Sequence, residues 1–132
     1  MRRALLLALF ACAHAGPRAP PGYGLARAEA IEVCLPPGEL AFLKALRCPG
    51  GQRAEAKRLG SVGARSELAD PDDPRALLQM DPARPLQPGE PDLHIVDAFE
   101  VHCPEKNVTL FLDMYHCPAR PPSAPQGFTL GE

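Results

Sequence analysis

Twice the chain sets an imidazole beside a thiol, at His102-Cys103-Pro104 and His116-Cys117-Pro118. Imidazole nitrogen and thiolate sulfur are zinc ligands, so these triplets, with His94 nearby, raise metal chemistry first. Strand geometry argues against it. Neighbours on a strand point to opposite faces, so neither His-Cys doublet chelates a single ion. His94 and His102 are eight residues apart, about 26 Å at ~3.3 Å per residue. His94 falls opposite Cys117, but that makes two ligands where structural zinc takes four, and no C-x2-C pair supplies the rest. The sequence therefore predicts no metal ligands and no cofactor. Each cysteine belongs in a disulfide and each following proline ends strand pairing. Ser61, Ser66 and Ser123 lie in loops without a nucleophile-elbow pattern, and thiol catalysis needs a free, low-pKa cysteine. No catalytic residue is assigned on these grounds. The alternative reading is a small extracytoplasmic enzyme or metal-binding protein using His94, His102, His116 and nearby carboxylates.

The strongest element signal surrounds these residues. Leu93 to Cys117 holds two alternating segments about Pro104-Glu105-Lys106-Asn107, the pattern of a β-hairpin with strands 93–103 and 108–117. Pairing Cys103 with Val108 collects Leu93, Ile95, Phe99, Val101, Val108, Leu110, Leu112 and Met114 on one face. A slip of one residue would mix that set with His94, Glu100 and His102, so burial is expected to fix the register. Asp97 lies on the buried face, diagonal to His116, and the two are expected to form a hydrogen-bonded structural pair, because a buried carboxylate needs a partner. The opposite face is mixed aromatic and polar. Its Glu100, Phe111, Asp113 and Tyr115 form the candidate partner surface.

Elsewhere the signals are shorter. Ala30 to Leu35 alternates and reads as a strand ended by Pro36-Pro37-Gly38. Glu39 to Arg47 consists almost entirely of helix formers and stops at Pro49-Gly50-Gly51, predicting a helix over 39–47. Residues 52–92 read mostly as loop, with two helical turns at Pro74 to Met80 after the Asp73-Pro74 start signal. From Gly16 onward only 27 Leu, Ile, Val, Phe and Met side chains are available, a lean core for a domain of this size. The predicted fold is a small disulfide-stapled α+β domain over 30–120, built on the 93–103/108–117 hairpin with one short helix (39–47) and much irregular loop. A Pro/Gly/Ala-rich tether over 12–29 precedes it, and a disordered Pro-rich tail over 121–132 follows.

The cysteines carry the rest of the reading. Met1-Arg2-Arg3 followed by the apolar run Ala4 to Ala11 has the form of an export signal, far short of the roughly 20 residues a bilayer span needs. Leu9-Phe10-Ala11-Cys12 resembles the lipobox of bacterial lipoproteins, which implies cleavage after residue 11 and a lipid on Cys12. Ala13-His14-Ala15 offers the other cleavage, making residues 1–15 the signal and Gly16 the new N-terminus. Both readings remove Cys12 from a set of five and leave Cys34, Cys48, Cys103 and Cys117, an even number suited to an oxidising compartment. In the expected hairpin Cys103 lies beside the turn and Cys117 at the open end, about 30 Å away at ~3.3 Å per residue. Bridged Cα atoms lie at roughly 4.4–6.8 Å. Cys34 and Cys48 are separated by the helix. Both disulfides are therefore expected to join the N-terminal segment to the hairpin, as Cys34–Cys103 with Cys48–Cys117 or as Cys34–Cys117 with Cys48–Cys103.

The formal charge of −2 gives no basic footprint for nucleic acid. The function expected is a non-enzymatic exported cell-envelope or secreted module that binds an unknown protein or envelope component. Its contact with a membrane would run only through the lipid anchor.

Overall fold

A computed structural model describes residues 19–132, and the leader, Cys12 and both cleavage sites lie outside the described residues. A 3-10 turn at Arg27–Glu29 leads into β1 (Ile31–Glu32) and α1 (Leu35–Ala45), followed by β2 (Leu46–Arg47) and β3 (Glu55–Ala64). Then come α2 (Arg75–Gln79), β4 (Ile95–His102), β5 (Asn107–Asp113) and β6 (Thr129–Leu130). The fold is a small α+β domain. Its main sheet has the order β1-β5-β4-β3, with β1 parallel to β5 and the other pairs antiparallel; β2 and β6 form a second, two-stranded sheet.

The hairpin forms as the alternation requires, but its register differs by two residues. Val101, not Cys103, stands opposite Val108, and His102 stands opposite Asn107. The turn is Cys103 to Lys106, closed by the Cys103 amide donating to the Lys106 carbonyl at 3.0 Å. Because the strand period is two, a slip of two keeps every side chain on its face. Phe99, Val101, Leu110 and Leu112 accordingly enter the core with Ile31, Val33, Phe42, Leu46 and Phe128.

α1 starts four residues before the expected helix and stops two residues earlier. Pro36 and Pro37 occupy its first turn, where a missing N–H costs nothing, so the prolines open the helix instead of closing a strand. Glu39 and Phe42 lie on its inward side and are buried, as is Leu46 just past its end. Leu46 and Arg47 leave the helix to pair with Leu130 and Thr129.

Two further expectations are corrected. The 52–92 loop contains the ten-residue strand β3. Its alternation is broken by bulges between Arg58 and Gly60 and between Ser61 and Ala64, where Gly60 and Gly63 adopt positive φ. Only Ala64 of the strand is fully buried, so an apolar pattern could not mark it. Residues 121–132 do not form a free tail throughout. Pro125 and Phe128 are buried, and 129–130 pair with β2. The described part of the tether packs as well, with the Gly24 carbonyl accepting from the Phe111 amide at 2.9 Å. The two turns expected at 74–80 are present as α2.

Both disulfides join the N-terminal segment to the hairpin region. Cys34 bonds Cys117 with a Cα separation of 4.3 Å, and Cys48 bonds Cys103 at 5.7 Å. They close loops of 83 and 55 residues along the chain. In the chain-entropy account such crosslinks contribute about 4 kcal/mol each, which offsets the leanness of the core.

Candidate functional site

The end of the sheet far from the hairpin turn gathers two imidazoles and two carboxylates. Asp92 and His94 lie just before β4, Asp113 ends β5, and His116 follows it by three residues. The hairpin register brings the start of one strand beside the end of the other. The Cys34–Cys117 disulfide then fixes the backbone next to His116. One donor atom from each of the four side chains lies within 4.8 Å of every other.

His94 Nδ1 is 2.9 Å from His116 Nε2 and 2.9 Å from Asp92 Oδ1. His116 Nε2 is also 2.8 Å from Asp92 Oδ2. Asp113 Oδ2 stands 3.5 Å from His116 Nε2 and 3.6 Å from His94 Nδ1. The Asp113 side chain is fully buried, and its Oδ2 accepts no hydrogen bond; His94 Nε2 is likewise buried without a partner. Local backbone aims both carboxylates. The His94 amide donates to Asp92 Oδ1 at 3.1 Å, and the Tyr115 amide to Asp113 Oδ1 at 2.9 Å.

Arg65 covers the cluster. It donates to the carbonyls of Ala28 and Ala30 and to Glu32 Oε1 at 3.0–3.1 Å, and its Nη1 lies 3.6 Å from Asp92 and 3.5 Å from Asp113. A cleft of about 310 Å³ opens over Glu32 and Arg65, bordered by Tyr23 and Arg120.

The electrostatics follow from these contacts. Burial works against ionisation of Asp92, but hydrogen bonds from His116 and His94 outweigh it and hold the carboxyl far below the usual range. The hydrogen bond to Asp92 raises the His116 pKa against the opposing effect of burial. Burial pushes the Asp113 carboxyl up. Chemically, the four groups can share protons or hold a cation.

The sequence expectations fare unevenly here. His94 and His116 converge, while His102 stands apart, half-exposed, with Nε2 3.2 Å from Glu100. A search for thiolate ligands beside the histidines misses this convergence, because the ligand-type atoms that arrive are carboxylates. A signal for them exists: Asp-x-His just precedes β4 and Asp-x-x-His starts at the last residue of β5, so the hairpin brings both motifs to one end of the sheet. The Asp97–His116 pair does not form. Asp97 is buried, but it takes Arg58 at 2.8–3.0 Å and the Ser61 hydroxyl at 2.7 Å, both from β3, the strand that apolar patterning passes over. The candidate partner surface is broken up. Asp113 is interior, and Tyr115 stacks beside His94 with ring centroids 6.1 Å apart. Glu100 and the half-buried Phe111 remain on the outer face.

Compared with protein-family models, with curated proteins and with solved structures, the chain matches none.

Proposed function

We propose that the protein is an exported, non-enzymatic binding module of the cell envelope or its surroundings. It is either held at the membrane by a lipid on Cys12 or released by cleavage after Ala15. The observation that carries this reading is the pair of disulfides closing 55- and 83-residue loops, since such bonds persist in oxidising compartments and are reduced in the cytosol. The apolar leader and the resemblance of residues 9–12 to a lipobox support the same compartment. Among the described residues no helix is long and apolar enough to cross a membrane. The non-enzymatic part rests on the sequence, in which Ser61, Ser66 and Ser123 lie outside any nucleophile-elbow pattern and no C-x-x-C redox motif occurs. Glu100 and Phe111 are the residues through which a partner would be met.

Fractionation of the native host tests the reading. Wild-type protein is expected in the extracytoplasmic membrane fraction with its body cysteines oxidised. Cys12→Ser should shift it to the soluble fraction or stall its maturation. A soluble mature form starting at Gly16 would remove the anchor and keep export. Cytoplasmic protein with reduced cysteines would overturn the proposal.

A further inference from the structure

Asp92, His94, Asp113 and His116 bring one ligand-type atom each to within 4.8 Å of every other. His94 Nδ1 and His116 Nε2 can each donate to a different oxygen of Asp92, at 2.9 and 2.8 Å, but the two imidazole nitrogens then stand only 2.9 Å apart and the fully buried Asp113 Oδ2 keeps no hydrogen-bond partner. Four ligand-type atoms thus border one small volume. We propose that this volume is a binding site for a single divalent transition-metal ion of the zinc class, held by Asp92, His94, Asp113 and His116.

The dimensions are close to those of a bound ion. Zinc bonds of ~2.0–2.2 Å in tetrahedral array place neighbouring donors about 3.3–3.6 Å apart. The two separations from Asp113 Oδ2 are 3.5 and 3.6 Å, and the three among Asp92, His94 and His116 are hydrogen-bond distances of 2.8–2.9 Å that an ion would open by about half an ångström. The charges fit as well. Glu32, Asp92 and Asp113 bring three negative charges against the single guanidinium of Arg65, and with neutral imidazoles a divalent ion closes the balance. Two imidazole nitrogens select a first-row transition ion over calcium or magnesium, which favour all-oxygen shells. Four protein ligands under Arg65 leave no open coordination position, the arrangement of a structural site. The amides that aim Asp92 and Asp113 orient the carboxylate ligands. This inference rests on side-chain geometry and stands apart from the export reading, so either can fail without the other.

Titration of the oxidised full chain with zinc, and separately with cobalt, tests it. The expected result is saturable binding of one ion per chain and the strong visible absorption of tetrahedral cobalt. Asp113→Asn and His94→Ala should each weaken binding roughly a hundredfold or more. His102→Ala, outside the cluster, should bind as wild type does. Absence of saturable binding, retention of full affinity in Asp113→Asn, or an equal loss in His102→Ala would overturn the proposal. If the cluster variants do not fold, side-chain nitrogen NMR of the wild type decides. Zinc must move the His94 and His116 signals; movement confined to His102 would contradict the assignment.

Discussion

Glu39 shows how much a single buried group can set. It sits on the inward side of α1, 7 % exposed, with Oε2 lacking any hydrogen-bond partner. Burial raises its carboxyl pKa, the nearby Asp97 raises it further, and Arg58 opposes both. A carboxyl whose pKa is higher folded than unfolded takes up a proton on folding more readily. It therefore costs stability when ionised, and the cost fades as pH falls through the folded pKa. Glu39→Gln is expected to be more stable than wild type at pH 7, by on the order of 1 kcal/mol. The difference should shrink as pH falls toward 4. Urea melts at several pH values measure it, and a variant less stable than wild type at pH 7 would refute the account. The same neighbourhood shows where residue-level reading stops. Asp97 is recognisable from alternation alone as a buried carboxylate needing a partner. Arg58 and Ser61 are not, because they arrive on a strand whose sequence has no alternation. The cysteines are more legible, since strand and helix spacing alone put Cys103 out of reach of Cys117 and Cys34 out of reach of Cys48.

At the scale of elements, apolar patterning marks whatever is half-buried and passes over the rest. β4 and β5 alternate because one face packs on α1, so their faces could be derived even though the turn lies one residue earlier than expected. β3 is an exposed edge held by backbone hydrogen bonds to β4, and such bonds leave no mark on side-chain choice. α1 presents a different case, because its start is set by a strained residue. Leu35 has φ 59°, a left-handed backbone that L side chains adopt at a cost of roughly 1–2 kcal/mol. The next residue is proline, which disfavours the right-handed helical region at position 35. The Leu35 amide donates to the Met114 carbonyl at 2.8 Å, and the adjacent Cys34 is bonded to Cys117, so tertiary structure holds the strained conformation in place. Leu35→Gly should tolerate this backbone, whereas Leu35→Val, branched at Cβ, should not. Denaturant midpoints are expected to rank the glycine variant above the valine variant by about 1–2 kcal/mol. The reverse order would mean that Leu35 is not held at positive φ.

At the scale of the molecule, the N-terminal segment and the hairpin are two halves of one core, joined twice by sulfur. Ile31, Val33, Phe42 and Leu46 come from the first half and Phe99, Val101, Leu110 and Leu112 from the second, with few large apolar residues between. Crosslinks over long loops act mainly by restricting the unfolded chain, which is where a lean core most needs help. The segment between the halves contributes the open edge β3 and places Arg65 over the Asp–His cluster. The cluster itself comes wholly from the hairpin region, as Asp92, His94, Asp113 and His116, and docking of the halves adds its cover, Glu32 from the first half and Arg65 from the segment between. The central claim is that docking, and non-reducing peptide mapping of protein purified from its own host tests it most directly. The account predicts two crosslinked fragments, one joining Cys34 to Cys117 and the other Cys48 to Cys103. A fragment linking Cys103 to Cys117, or four free thiols, would contradict it.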